Sequence, residues 1–363
     1  MRRALLLSAL LFSAAPLAAQ RTVDWETRFL FYSDNTEFFN PYREGATWMG
    51  GRLWTELALQ ATPKVQVRVG VSADHLSGDS SFAEAQPLLS LRYHDGTSTG
   101  VLGTLIVEDR HGLLEPFMTL QRDILKPVEY GSQWIEQHDR WGAEYWLNWR
   151  ALNTPTQREH FDMGLVTHVD ALPWLRVGFQ GLWVHRGGQL YAAGQSTSNN
   201  MVSALGLTAH DTLPGLGASS LEAWVLESSP GWPDSLPSGV DAKGHGTLFR
   251  ATVSPLHNIR FTGVLWHGNG YSAAAGDPNY NSLGRNQYFK RHRFYAEVGM
   301  NQLWRASNAV SLESQFRFHK IDDIDTDALS WSKWEYSYRL VAKVPFDPIY
   351  GPIGRCRQVL SGL

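Results

Sequence analysis

Arginine and glutamate recur in this chain at every second position of otherwise apolar stretches. Arg28, Arg52, Arg68, Arg92, Arg150, Arg176, Arg250, Arg260, Arg293, Arg317 and Arg339 follow this pattern, with Glu56, Glu144 and Glu297 among them. Side chains so spaced share one face of an extended strand, because successive Cβ atoms point to opposite sides. Charges on that face need water or partners. Two kinds of chemistry fit: attraction of small hydrophilic solutes, anions first given the arginine excess, or mutual pairing as structure.

Nucleophile and ligand motifs are weaker. Gly96-Thr97-Ser98-Thr99-Gly100 matches G-x-S-x-G by letters, but that chemistry needs a strand, a strained turn and a helix. Here alternating segments flank it, as in a hairpin. Gly268-Asn269-Gly270-Tyr271-Ser272-Ala273 resembles a dinucleotide fingerprint yet opens a loop, with no helix to receive a pyrophosphate. Asp323, Asp325 and Asp327 form a weak calcium candidate, since an EF-hand would end on a glutamate where Trp334 stands. The 13 histidines are scattered without H-E-x-x-H. Cys356 is the sole cysteine, which excludes an intrachain disulfide and a cysteine-based zinc site.

The elements that carry these residues read as strands. Met1-Arg2-Arg3, an apolar run from Ala4 to Ala15 and small residues to Ala19 have the form of a secretory signal peptide, residues 1–19. Beyond it no run reaches the ~18 apolar residues of a helical span. The net charge of −3 gives no basic footprint for nucleic acid. Val65, Val67, Val69, Val71 and Ala73 alternate with Gln66, Arg68, Gly70, Ser72 and Asp74, and 16 such segments follow one another up to Phe346. Gly131 to Glu136 is the least marked, and the tenth and eleventh read as short, Val202 to Thr208 and Leu221 to Val225.

Connections alternate between short and long. The connections Asp109 to Tyr130, with Asp109, His111 and Glu115, and His267 to Lys290 are long enough to fold inward. Asp34 to Thr47 offers Asn35, Glu37, Phe38, Phe39, Tyr42 and Arg43, rings mixed with hydrogen-bonding groups as on a sugar-binding surface. Trp25, Trp141, Trp174 and Trp304 fall near one end of the strands, and Trp48, Trp149, Trp183, Trp266, Trp331 and Trp334 near the other, as in two interfacial girdles.

The last segment places Trp334, Tyr336, Tyr338, Leu340, Ala342, Val344 and Phe346 on one face against Glu335, Ser337, Arg339 and Lys343. It resembles the closing strand of Gram-negative outer-membrane β-barrels of porin size. The resemblance implies an all-β, transmembrane, antiparallel up-and-down barrel of about 16 strands over residues 20–346, with long extracellular loops and short periplasmic turns. It implies a 347–363 periplasmic tail, residence in the outer membrane among bilayer lipid and lipopolysaccharide, and delivery by the barrel-insertion machinery. The function expected from it is a porin-like channel for small hydrophilic solutes, anionic ones among them. Alternatives are a surface polysaccharide export or attachment barrel, with glycans as partners, or an outer-membrane hydrolase with a rim active site. With no nucleophile beside a base in the sequence, the expectation is a protein that is not an enzyme, with no cofactor, no metal beyond the weak calcium candidate and no nucleic acid partner.

Overall fold

The computed structural model describes residues 23–80, 84–191, 197–229, 243–285, 288–307, 310–322 and 331–346. Sixteen strands account for most of them: β1 (Val23–Glu37), β2 (Ala46–Thr62), β3 (Val65–Leu76), β4 (Glu84–His94), β5 (Ser98–Thr104), β6 (Tyr130–Gln137), β7 (Trp141–Ala151), β8 (Glu159–Leu172), β9 (Leu175–Gly187), β10 (Ser198–Leu213), β11 (Gly217–Ser229), β12 (Gly244–Leu256), β13 (Ile259–Asn269), β14 (His292–Ser307), β15 (Val310–Asp322) and β16 (Trp331–Phe346). Each pairs antiparallel with its sequence neighbours, and β16 closes on β1 with Phe31 opposite Ala342. Closure leaves no edge strand, which is what lets a sheet span lipid with every ladder bond made. Residues 1–19, the 347–363 tail with Cys356, and Asp323, Asp325 and Asp327 lie outside the described residues.

The alternation decides the two faces. Val69, Leu89, Leu205, Leu221 and Leu265 project outward and are exposed, whereas Arg68, Ser90, Ala204, Glu222 and Val264 beside them are buried inside. An exposed apolar exterior is stable only against lipid. The start of β1 and the end of β16 both lie beside the short turns. Among the described residues no helix is long and apolar enough to cross a membrane.

Four readings shift. β10 and β11 outrun their expected limits, because His210, Asp211, Ser219 and Ser228 interrupt the apolar alternation but not the pairing. Gly131 to Glu136 gains Tyr130 and Gln137. β1 continues through Asn35 and Glu37, so the first long connection shrinks to residues 38–45. Trp266 does not sit in the outer girdle. It faces inward and packs edge-on against Tyr271 and Tyr280, with centroids 5.1 and 5.4 Å away.

The outer half of the lumen is filled. Residues 105–129, 270–285 and 288–291 fold into it and pack Leu113, Leu114, Phe117 and Met118 with Tyr271 and Tyr280. Thr119 N–H donates to Ala275 O at 3.0 Å and Asp277 N–H to Glu115 O at 3.0 Å, so the two loops form one plug. Gln180 ties it to the wall, accepting from Leu114 N–H at 2.9 Å and donating to Gly112 O at 3.0 Å. Burying a side chain such as Phe117 contributes about 1.5–3 kcal/mol, so the plug is a packed body. Beneath it a cavity of about 2030 Å³ reaches Pro63, Lys64 and Lys343 beside the short turns.

Candidate functional site

Three adjacent strands bring together a serine, a histidine and a glutamate on the inner wall. In the register Glu297 on β14 stands opposite His319 on β15, and Ser337 on β16 stands opposite Arg317, one inward position from His319. Ser337 Oγ and His319 Nε2 are 2.9 Å apart, and His319 Nδ1 lies 2.7 Å from the Tyr295 hydroxyl. That hydroxyl donates to Glu297, whose Oε2 is itself 3.5 Å from Nδ1. One set of protons satisfies the row: Ser337 donates to Nε2, Nδ1–H donates to Tyr295 and Tyr295 donates to Glu297. This is the order in which a hydroxyl is activated by a base and the base is oriented by an acid.

The plug and the first long loop cover this row. Phe38 lies against the imidazole, centroids 5.0 Å apart, and Arg43 sits 4.5 Å above the Phe38 ring. Glu335 accepts from Asn40 Nδ2 at 2.6 Å and from Phe39 N–H at 3.0 Å, fixing that loop over β16. Arg317 donates to Glu297 at 2.7 Å and to Glu115 of the plug at 2.6 Å. Ser337 is 8% exposed and borders a slot of about 10 Å³ shared with Gln315, Arg317 and Arg339. That is room for a single water. Arg43, Gln315, Arg317 and Arg339 line the slot as available donors to an oxyanion, beside the carboxylates of Asp34 and Asp277.

A second histidine, His111, sits in the plug against the opposite wall. Its Nδ1 meets Glu144, its Nε2 is 3.3 Å from Glu129, and its ring stacks on Trp146 at 4.1 Å. Trp146 has space because Gly164 across the sheet carries no Cβ. Arg122 extends the network, 2.7 Å from both Glu129 and Asp162. Burial disfavours the imidazolium, but the hydrogen bonds to Glu129 and Glu144 prevail and raise the His111 pKa to about 9. Glu129 is lowered: burial opposes its charge, and His111 and Arg122 outweigh burial. Asp109, Arg110 and His111 are all left-handed, at φ 41°, 56° and 60°, a conformation that costs non-glycine residues free energy.

Of the arginines and glutamates singled out in the sequence, Arg28, Arg52, Glu56, Arg68, Arg92, Arg250, Arg260, Glu297, Arg317 and Arg339 line the cavity. Many are tied down: Arg68 to Glu56 at 3.2 Å, Arg250 to Glu222 at 2.7 Å and Arg339 to Asp34 at 3.2 Å. Glu144, Arg150, Arg176 and Arg293 are on the inner wall outside the cavity, with Arg150 3.3 Å from Asp162, Arg176 2.6 Å from Asp170 and Arg293 2.9 Å from Asp322. The structure does not assemble the ring platform expected of Phe38, Phe39 and Tyr42. Phe38 packs on His319, Tyr42 lies under Arg293, and only Phe39 of the three is on the surface, at 79% exposure. Asn35 and Glu37 are strand residues joined by a 3.3 Å hydrogen bond. Among the described residues no group of three His, Cys, Asp or Glu is arranged to hold a metal. The sequence reading missed Ser337, His319 and Tyr295 as a unit. Its one signal was that all three fall on polar faces of neighbouring strands.

No curated protein sequence matches the chain. Solved structures do. OccK5 (OpdH) of Pseudomonas aeruginosa superposes with a TM-score of 0.53 at 10% identity, over 90% of this chain and 98% of its own. An anion-selective porin from Comamonas acidovorans gives 0.54 at 10% identity, over 90% and 100%. OccK8 (OprE) of Pseudomonas aeruginosa gives 0.52 at 9%, over 89% and 98%. At such identity the likeness is one of fold: this is a porin-like β-barrel. The expectation that the protein is not an enzyme does not survive the family comparison. Residues 16–346 match a family described as lipid A 3'-O-deacylase-type, an enzyme family. A match over that span covers the whole barrel, and the chain belongs to the lipid A 3'-O-deacylase-type family.

Proposed function

We propose that this protein is an outer-membrane acyl-ester hydrolase built on a porin-like barrel, with Ser337 as nucleophile, His319 as its general base and Glu297, through Tyr295, as the orienting acid. The observation that carries the reading is the 2.9 Å contact between Ser337 and His319, with the far imidazole nitrogen 2.7 Å from Tyr295. Family membership supports the same reaction class and points to acyl esters of lipid A as substrate. Ser337 would attack the ester carbonyl as its proton passes to His319. The alkoxide leaving group would take that proton, and water would release the acyl chain from the serine. The cover of Phe38 and Asn40 has to lift for an ester to enter, which makes the 38–45 loop the lid of this reading.

The test is release of fatty acid from lipid A by the purified barrel, followed by mass spectrometry, with a fluorophosphonate probe to label an activated serine. Loss of both signals in Ser337→Ala is the expected result. Full hydrolysis by Ser337→Ala, or a probe that labels elsewhere, would remove Ser337 from the reaction.

A second reading, passage of small anionic solutes, is favoured by Arg28, Arg92 and Arg260. These line the cavity with no carboxylate within ion-pair distance among the described residues. Single-channel recording in a planar bilayer addresses it: anion-selective openings weakened by Arg92→Gln support passage, and a silent but folded barrel counts against it.

A further inference from the structure

We propose that the lipid-facing outer rim of β12–β15 is a binding site for the phosphate of an outer-leaflet glycolipid. The inner wall takes no part in it, so the inference is independent of Ser337.

The outward faces of these strands are apolar through their middle, where Phe249, Leu265 and Val298 are exposed to lipid. At the long-loop end the same faces change character. Thr247 stands opposite His267, and His267 opposite Phe294. One step further out, His245 and His292 flank Asn269 from either side. The His267 and His292 rings lie nearly parallel, centroids 6.2 Å apart, and His267 rests on Phe294 at 4.6 Å. Arg291 donates to Asn269 at 3.0 Å. On β15 Lys320 lies opposite Ala296 and Trp334, with its ammonium 5.3 Å from the Trp334 ring.

Three imidazoles and a guanidinium thus occupy one lateral strip just above the apolar band, the level of the outer-leaflet headgroups, with the Lys320 ammonium below them in register with Ala296 and Leu265. Among the described residues, the carboxylate in register with the strip is Glu227, opposite His245. Asp322 is buried and engaged with Arg293. Stacked imidazoles repel when both are protonated, and an anion bridging them removes that repulsion. Phosphate esters meet clustered basic donors well, and a lipid-borne phosphate reaches this depth with its acyl chains on the apolar band below.

The test uses the full chain in nanodiscs loaded with bisphosphorylated lipid A or its dephosphorylated form, with retained lipid counted by native mass spectrometry. Wild type should retain the bisphosphorylated form at least ~10-fold better, a contrast equivalent to about 1.4 kcal/mol. Replacing His245, His267 and His292 with Gln together with Arg291→Gln should abolish the preference. The single variant His292→Gln should reduce it, with heat-modifiable migration on gels as the check on folding. His138→Gln, in the short turn between β6 and β7, should retain lipid as wild type does, and an equal loss there would overturn the placement at the outer rim. Equal retention of both lipids by wild type, an undiminished preference in the fourfold variant, or release of the lipid by an equal concentration of inorganic phosphate would each overturn the proposal.

Discussion

His111 and His319 are both buried in the outer half of the barrel with partners on both ring nitrogens, and the chemistry of those partners separates them. His111 stands between two carboxylates, Glu129 and Glu144. His319 stands between two hydroxyls, those of Ser337 and Tyr295. Two carboxylates fix an imidazole as a cation, so it cannot accept another proton. Two hydroxyls leave one ring nitrogen facing the serine as a hydrogen-bond acceptor. The contrast assigns structure to the first, a latch that holds the plug, and proton transfer to the second.

Exchanging each ring for an amide separates these roles most sharply. His319→Gln should lower ester hydrolysis by about 10³-fold, roughly 4 kcal/mol of transition-state stabilisation. The urea midpoint should stay close to wild type. His111→Gln should do the reverse. It leaves Glu129 buried with one partner fewer, and breaking a buried ion pair costs about 3–5 kcal/mol. Equal effects of the two changes on both measurements would erase the distinction.

Acidity then sorts the two by sign. The folded-state pKa of His111 is raised from 6.5 to about 9, so its stabilisation is fully present below pH 6.5 and is lost as pH climbs through about 9. Urea midpoints of wild type should therefore decline across that window, whereas His111→Gln should stay flat. Hydrolysis runs the other way, because a general base must be unprotonated and the rate falls on acidification. A wild-type midpoint that is flat from pH 6.5 to 9 and rises only as pH climbs toward 6.5 would show that His111 folds as the neutral ring.

Tyr295→Phe is a finer cut. It removes the hydroxyl between His319 and Glu297 but leaves Glu297 Oε2 at 3.5 Å from Nδ1, close enough for the carboxylate to take over orientation. We expect about a tenfold fall in kcat, about 1.4 kcal/mol, with KM unchanged and the pH profile displaced. A loss as large as that of His319→Gln would mean that the hydroxyl is essential to the base itself.

The wall of this molecule was legible in its sequence and the plug was not. Alternation of lipid-facing Val65, Val67 and Val69 with Gln66, Arg68 and Gly70 marks β3 directly, because lipid and lumen impose period two. β10 and β11 were cut short where polar residues such as His210 and Asp211 fall at the wet end, since ladder bonds there need no apolar face. The plug follows no such period. Glu115 meets Arg317 and Asn200 meets Ser272 across large sequence separations, and only the closed ring of strands brings those residues together. The same holds for Ser337 and His319. Alternation put both on a polar face, but neighbourhood across β15 and β16 is a matter of register, set by turn geometry and packing. Trp266 shows the cost of reading position without parity: it is near the outer end, as expected, but on the wrong face for a girdle.

The smallest effect probes the latch through its strain. Asp109, Arg110 and His111 hold left-handed backbone in succession, and His111 is anchored by Glu129 and Glu144. Asp109 itself contributes little else, being mostly exposed and 2.7 Å from Arg110, and exposed pairs are worth at most about 1 kcal/mol. Asp109→Gly relieves the β-carbon clash of that conformation, about 1 kcal/mol, while glycine's greater freedom in the unfolded chain offsets part of the gain. The net stabilisation should be under about 1 kcal/mol, read as a slight rise in urea midpoint. In the His111→Gln background the anchor is gone, the turn is free to relax and the same glycine should bring no gain. That double-mutant difference reports coupling between anchor and strain. Additive effects would mean that something other than His111 holds the turn, and that the plug is latched by its apolar contacts, Phe117 and Met118 foremost, with the charged network only lining it.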